Sequence, residues 1–132
     1  MSTRGEFAFT DSNGDIFSVY VHCDAYPSGL GEEMLRNIHN TREAFDYTLQ
    51  YLHETNDSVY KFNTLLAYKQ HVVELDREFL YLFVNDKWYV YVGLSSILPD
   101  KWKNGVDEYD IPFFRLELRN GEAYINFDET YD

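Results

Sequence analysis

Apolar and polar residues alternate from Glu6 to Phe9 and again from Ile16 to Asp24, and the DSNGD between them carries Asn13-Gly14, a pair suited to tight hairpin turns. The pattern predicts a β-hairpin. In its second strand Phe17, Val19, Val21 and Cys23 share one face, while Ser18, Tyr20, His22 and Asp24 share a polar one. Pro27 and Gly29 end the strand, and Met34, Leu35, Ile38, Phe45, Leu49 and Leu52 then fall on one helical stripe reaching about Glu54. Within that stripe, HNTRE offers Asn40 as an N-cap with Glu43 three residues on, so the helix is expected to stop and restart there. Asp57-Ser58 gives a second cap signal, opening a weaker helical segment with Val59, Phe62 and Leu66 on one side.

Further along, HVVEL reads as a short strand, and EFLYLFVNDKWYVYVG as two strands joined at Asn85-Asp86. Phe79, Tyr81 and Phe83 alternate with Leu80, Leu82 and Val84, so both faces of the first strand are apolar and it is expected at the centre of a sheet. In its partner, Trp88, Val90 and Val92 oppose Tyr89 and Tyr91. SSILPDKWKNG reads as a loop, and PFFRLELRNGEAYINF as a last hairpin turning at Asn120-Gly121. Three hairpins with two or three helices inserted after the first predict one α+β domain over 1–132, an antiparallel sheet of about six strands with the helices packed on one face.

Composition adds that 132 residues are enough to bury a sizeable core without metal or disulfide. The single cysteine, Cys23, fits a small apolar residue in a reducing cytosol better than a nucleophile. No apolar run is long enough to cross a bilayer and no secretory pattern opens the chain, so a cytoplasmic protein is expected. A formal charge of −12 argues against direct nucleic-acid binding through phosphates and in favour of a basic partner. The charge is concentrated: residues 105–132 carry eight acids against Arg115 and Arg119, whereas 78–104 are neutral. Asp107, Glu108, Asp110, Asp128 and Glu129 are therefore candidate partner-binding residues. Tyr89 and Tyr91 join them, since tyrosine, here present twelve times, packs along its ring while its hydroxyl stays wet.

Chemistry is concentrated in YVHCDAYPSG. His22 and Asp24 lie on the same side of a strand that turns through Tyr26, Pro27 and Ser28 into a helix start. Three readings are open: His22 as a base oriented by Asp24 beside an anion held by helix-start amides; His22 and Asp24 as metal ligands; or Asp24 and Ser28 satisfying backbone donors of the turn, with Arg4 paired to Asp24 across the hairpin. The metal reading lacks the fixed third and fourth ligands of zinc motifs. GLGEE is no phosphate loop, because Glu32 and Glu33 would repel a phosphate. Walker, dinucleotide, zincin and nucleophile-elbow motifs are all missing, which weighs against an enzyme and leaves no cofactor or catalytic residue to name.

Ser2, Thr3 and Arg4, with Tyr20, His22, Asp24, Tyr26, Pro27, Ser28 and Gly29, resemble a motif of a family of small bacteriophage and prophage proteins. The resemblance ends near the first helix and brings no catalytic residue with it. It implies a phage-encoded protein acting in the host cytoplasm, of a kind that counters host defences by occupying a defence protein or sequestering a nucleotide signal. The expectation is a non-enzymatic acidic inhibitor of a host defence or nucleic-acid-handling factor, its partner a host protein with a basic surface. The alternative is a protein binding a small ligand or nucleotide, or hydrolysing it, through Arg4, His22, Asp24, Tyr26 and Ser28. Self-association into a homo-oligomer is left open, and no membrane contact is expected.

Overall fold

The computed structural model describes residues 3–22, 24–75, 77–103 and 105–131; the expectation for Cys23 lies outside them. The first hairpin forms from β1 (Gly5–Thr10) and β2 (Ile16–Val21), paired antiparallel with Phe7 opposite Val19. Its turn is held by Asp11, whose Oδ1 accepts from the N–H groups of Asn13 and Asp15, each at 2.9 Å. A π-helical turn (Pro27–Gly31) leads into α1 (Glu32–Asn37), and α2 (Thr41–Thr55) follows. The break between α1 and α2 is where the capping box placed it: Asn40 Oδ1 accepts from Glu43 N–H, and Glu43 Oε1 accepts from His39 N–H, both at 2.9 Å.

Two predicted elements change type. Val59–Phe62, expected in a weak helix, is β3, an edge strand antiparallel to β2; Tyr60 pairs with Ser18 and Phe62 with Ile16. The helix starts only at Leu65, where Thr64 Oγ1 accepts from Ala67 N–H at 3.1 Å. The resulting α3 (Leu65–Glu74) absorbs most of HVVEL, because Tyr68 and Val72, four residues apart, bury one side of it.

β4 (Phe79–Val84) and β5 (Lys87–Val92) form the second hairpin, and β6 (Phe113–Arg119) and β7 (Glu122–Tyr131) the third. Asn85 and Asp86 both take positive φ in the β4–β5 turn, as Asn120 and Gly121 do in the last, the geometry that suits two-residue hairpin turns. Every residue of β4 is buried, as its two apolar faces predict.

The α+β class holds, but the sheet has seven strands and is mixed, in the order β3-β2-β1-β4-β5-β6-β7, with β1 and β4 parallel. Nor do the helices share one face. Tyr47 and Tyr51 of α2 stand on Phe7, while His71 of α3 bonds to Glu6, and neighbouring residues of one strand point to opposite faces. Trp88 follows Phe7, donating from Nε1 to Ile38 O at 3.2 Å on the α1–α2 side. Reading hairpins one at a time cannot reveal this arrangement, because the parallel β1–β4 pair depends on the whole excursion from β2 through α3. Among the described residues no helix is long and apolar enough to cross a membrane.

Candidate functional site

The turn after β2 is built mainly from backbone. Ala25 N–H donates to Thr3 O at 3.1 Å, Leu30 N–H to Asp24 O at 2.9 Å and Gly29 N–H to Tyr26 O at 2.9 Å. Ala25 O accepts from the buried Tyr81 hydroxyl at 2.6 Å. Gly29 is required by close approach, since a Cβ there would lie 2.6 Å from Asp24 O and 2.9 Å from the Tyr26 ring. Asp24 takes φ 59°, in the left-handed region that Asp tolerates better than most residues. Bonds to backbone oxygens, not the side chains expected for it, hold this turn. Arg4 is exposed and forms no ion pair with Asp24, Ser28 is exposed, and neither Asp24 nor Ser28 caps a backbone donor among the described residues. His22 does not pair with Asp24 either; its Nε2 sits 3.4 Å from Asp57 Oδ1.

What His22, Asp24 and Tyr26 share is a groove of about 520 Å³ between this turn and α2, which Tyr47 and Tyr51 of α2 and Glu33 of α1 also line. Arg4 and Ser28 do not line it. The rings of Tyr47 and Tyr51 meet Phe7 edge-to-face, at 81° and 88°. Tyr47 Oη donates to Glu33 Oε1 at 2.9 Å, and Tyr51 Oη to Tyr20 O at 3.3 Å. Burial first, then the hydrogen bond to Glu33 and its charge, push the Tyr47 hydroxyl well above the ordinary phenol range. The groove continues along α1 and α2 through two smaller depressions that share Glu33 and Tyr47 and add Glu43, Asp46 and Glu54. Five carboxylates thus line this crease, counting Asp24 and Glu33, and among the described residues that line it there is no lysine or arginine.

Sequence reasoning missed this wall because it ranked α2 by hydrophobicity. Phe45 and Leu49, assigned to the core stripe, are 47% and 52% exposed, whereas Ala44 and Thr48 are buried with Tyr47 and Tyr51 half-buried beside them. The signal was present in the spacing of the two tyrosines, four apart on a helix.

A second polar cluster was also missed. On the α3 face, Glu6 is fully buried and accepts from Ser18 Oγ at 2.6 Å, His71 Nε2 at 2.9 Å and Arg77 Nε at 3.1 Å. Burial alone would raise its carboxyl, but hydrogen bonds from His71 and Ser18, the charge of His71 and the Arg77 bond outweigh it and hold the group below its ordinary value of 4.5. Arg77 also lies over the Tyr20 ring, 4.1 Å from its centroid. With Ser18, His71 and Arg77 around the buried carboxylate, this cluster ties α3 to β1 and β2.

The proposed partner face is corrected in part. Tyr89 and Tyr91 are only 7% and 3% exposed; Tyr91 Oη donates to Glu108 O at 3.1 Å and the Tyr89 ring meets Tyr131 at 5.2 Å. Their side of β5 is covered by the chain around Glu108–Asp110 and by the end of β7, so these tyrosines belong to the core. Burial, then Glu108, Asp107 and Tyr109, push the Tyr91 hydroxyl up to about 12. Asp107, Glu108, Asp110 and Asp128 are exposed, but Glu129 is engaged by Arg115 at 3.3 Å and Lys87 at 3.9 Å.

Among the described residues no group of three or more His, Cys, Asp or Glu is placed to hold a metal ion. Compared with family models, with curated proteins and with solved structures, the chain matches none.

Proposed function

We propose that this chain is a non-enzymatic binding protein that receives a basic segment of a protein partner in the crease between its β2 turn and helices α1 and α2. The observation that carries this reading is the lining of that crease: five carboxylates, three tyrosines and, among the described residues, no lysine or arginine. Such a surface favours cations and disfavours phosphates, which weighs against the nucleotide alternative. In the wider proposal the chain is phage-encoded and inhibits a host defence or nucleic-acid-handling factor in the cytoplasm. The phage origin rests on the motif around His22, Asp24 and Tyr26, and the inhibitory role on the match between an acidic crease and the basic surfaces of proteins that handle nucleic acid.

The test is co-purification from host lysate at low and high salt, with the wild type and with a variant carrying Glu33→Gln, Glu43→Gln, Asp46→Asn and Glu54→Gln. A partner with a basic surface that is retained by the wild type, released by salt, lost by the variant and inhibited when bound supports the reading. Equal capture by both proteins contradicts it.

A further inference from the structure

We infer that the part of the crease beside the β2 turn is an anchor site for a single arginine side chain of the partner, its guanidinium seated against Tyr26, Tyr47 and Tyr51 and facing Asp24 and Glu33. This deepens the reading above and rests on it.

The chemistry of the site selects the occupant. The walls are aromatic, and two of the rings pack edge-to-face with Phe7. A guanidinium gains by stacking on an aromatic ring, and three tyrosines line this space. Two carboxylates line the same space. The Asp24 carboxylate has no hydrogen bond or ion pair among the described residues, and the described bonds of Glu33 use only Oε1. Beside the site, Asp57 Oδ1 meets His22, while Oδ2 is buried without a hydrogen-bond partner among the described residues. Neither lining carboxylate is fully engaged by protein donors among the described residues.

An apolar side chain entering here would desolvate those carboxylates and return no hydrogen bond. Phosphate would meet their charge. A lysine would satisfy charge at one point, whereas arginine brings five donors in a fixed plane and can address two carboxylates while lying on a ring. Val21 and Leu30 supply the apolar surface that its methylene stem covers.

Three blocked peptides test the assignment by NMR, each carrying one central residue, arginine, lysine or citrulline, between glycine and serine flanks. The arginine peptide is expected to shift the ring signals of Tyr26, Tyr47 and Tyr51, and the citrulline peptide, equal in shape but uncharged, to bind about tenfold more weakly. The lysine peptide should fall between them. Asp24→Asn and Glu33→Gln should each weaken the arginine peptide by about tenfold. Both variants keep the local fold, since Asn tolerates the left-handed backbone of position 24 and Gln still accepts from Tyr47. Equal binding of arginine and citrulline peptides overturns the assignment, as do shifts confined to residues outside the groove. If the three tyrosines stay silent while an oligoarginine peptide still binds through Glu43, Asp46 and Glu54, the anchor is wrong and the acidic crease stands. If neither peptide binds, both readings fall.

Discussion

The Glu6 carboxylate in β1 and the His71 ring in α3 lie 2.9 Å apart across a sheet face that the hydrophobic pattern had left without a helix. This contact, with Arg77 and Ser18 around the same carboxylate, fastens α3 to the face opposite α1 and α2. Removing the charge of Glu6 leaves Arg77 and His71 largely unpaired. Glu6→Gln is expected to cost about 3 kcal/mol, the usual scale for breaking a buried pair, measured by urea unfolding at neutral pH. Because the carboxyl is held lower in the fold than in the unfolded chain, its contribution is present above the ordinary value of 4.5 and lost as pH falls through the folded value. Wild-type stability should therefore drop below about that pH more steeply than that of Glu6→Gln. Parallel declines would show that Glu6 is not the titrating group.

Asp24 separates backbone from charge. With φ at 59° and no side-chain bond among the described residues, its fold requirement is left-handed tolerance alone. Asp24→Asn should stay within about 0.5 kcal/mol of wild type, and Asp24→Ala should lose about 1 kcal/mol. An Asn variant as unstable as the Ala variant would mean that the carboxylate itself supports the turn.

Tyr91 tests the burial of the face once assigned to a partner. Tyr91→Phe removes the bond to Glu108 O and should cost about 1 kcal/mol. The double change of Tyr89 and Tyr91 to Ser should unfold the chain, because each large-to-small step in a core costs about 3 kcal/mol or more. Circular dichroism of a folded double variant would return these rings to the surface.

Much of the fold was written in local chemistry. The two-residue turns at Asn85-Asp86 and Asn120-Gly121, the Asn40–Glu43 cap and the doubly apolar β4 all declare themselves through neighbours a few residues away. Features set by distant contacts stayed hidden. Val59–Phe62 is a strand because β2 offers it an edge, and Glu6 is buried because residues 65 and 71 positions on supply its partners. The candidate site was half legible. His22, Asp24 and Tyr26 come from one continuous motif, whereas the tyrosine wall belongs to a helix whose polar hydroxyls disguised its inward face. Arg4 and Ser28 shared the motif without sharing the groove.

Basic segments are expected to bind the crease rather than the acidic C-terminal third. Binding of an arginine-rich peptide measured across a range of salt concentrations tests it most directly, comparing wild type with two neutralised variants. One changes Asp24, Glu33, Glu43, Asp46 and Glu54 to their amides, and the other does the same to Asp107, Glu108, Asp110 and Asp128. The crease variant is expected to lose most of the affinity and to show a flatter salt dependence, while the C-terminal variant keeps the wild-type slope. A crease variant that binds like wild type, with the loss confined to the C-terminal variant, would contradict it.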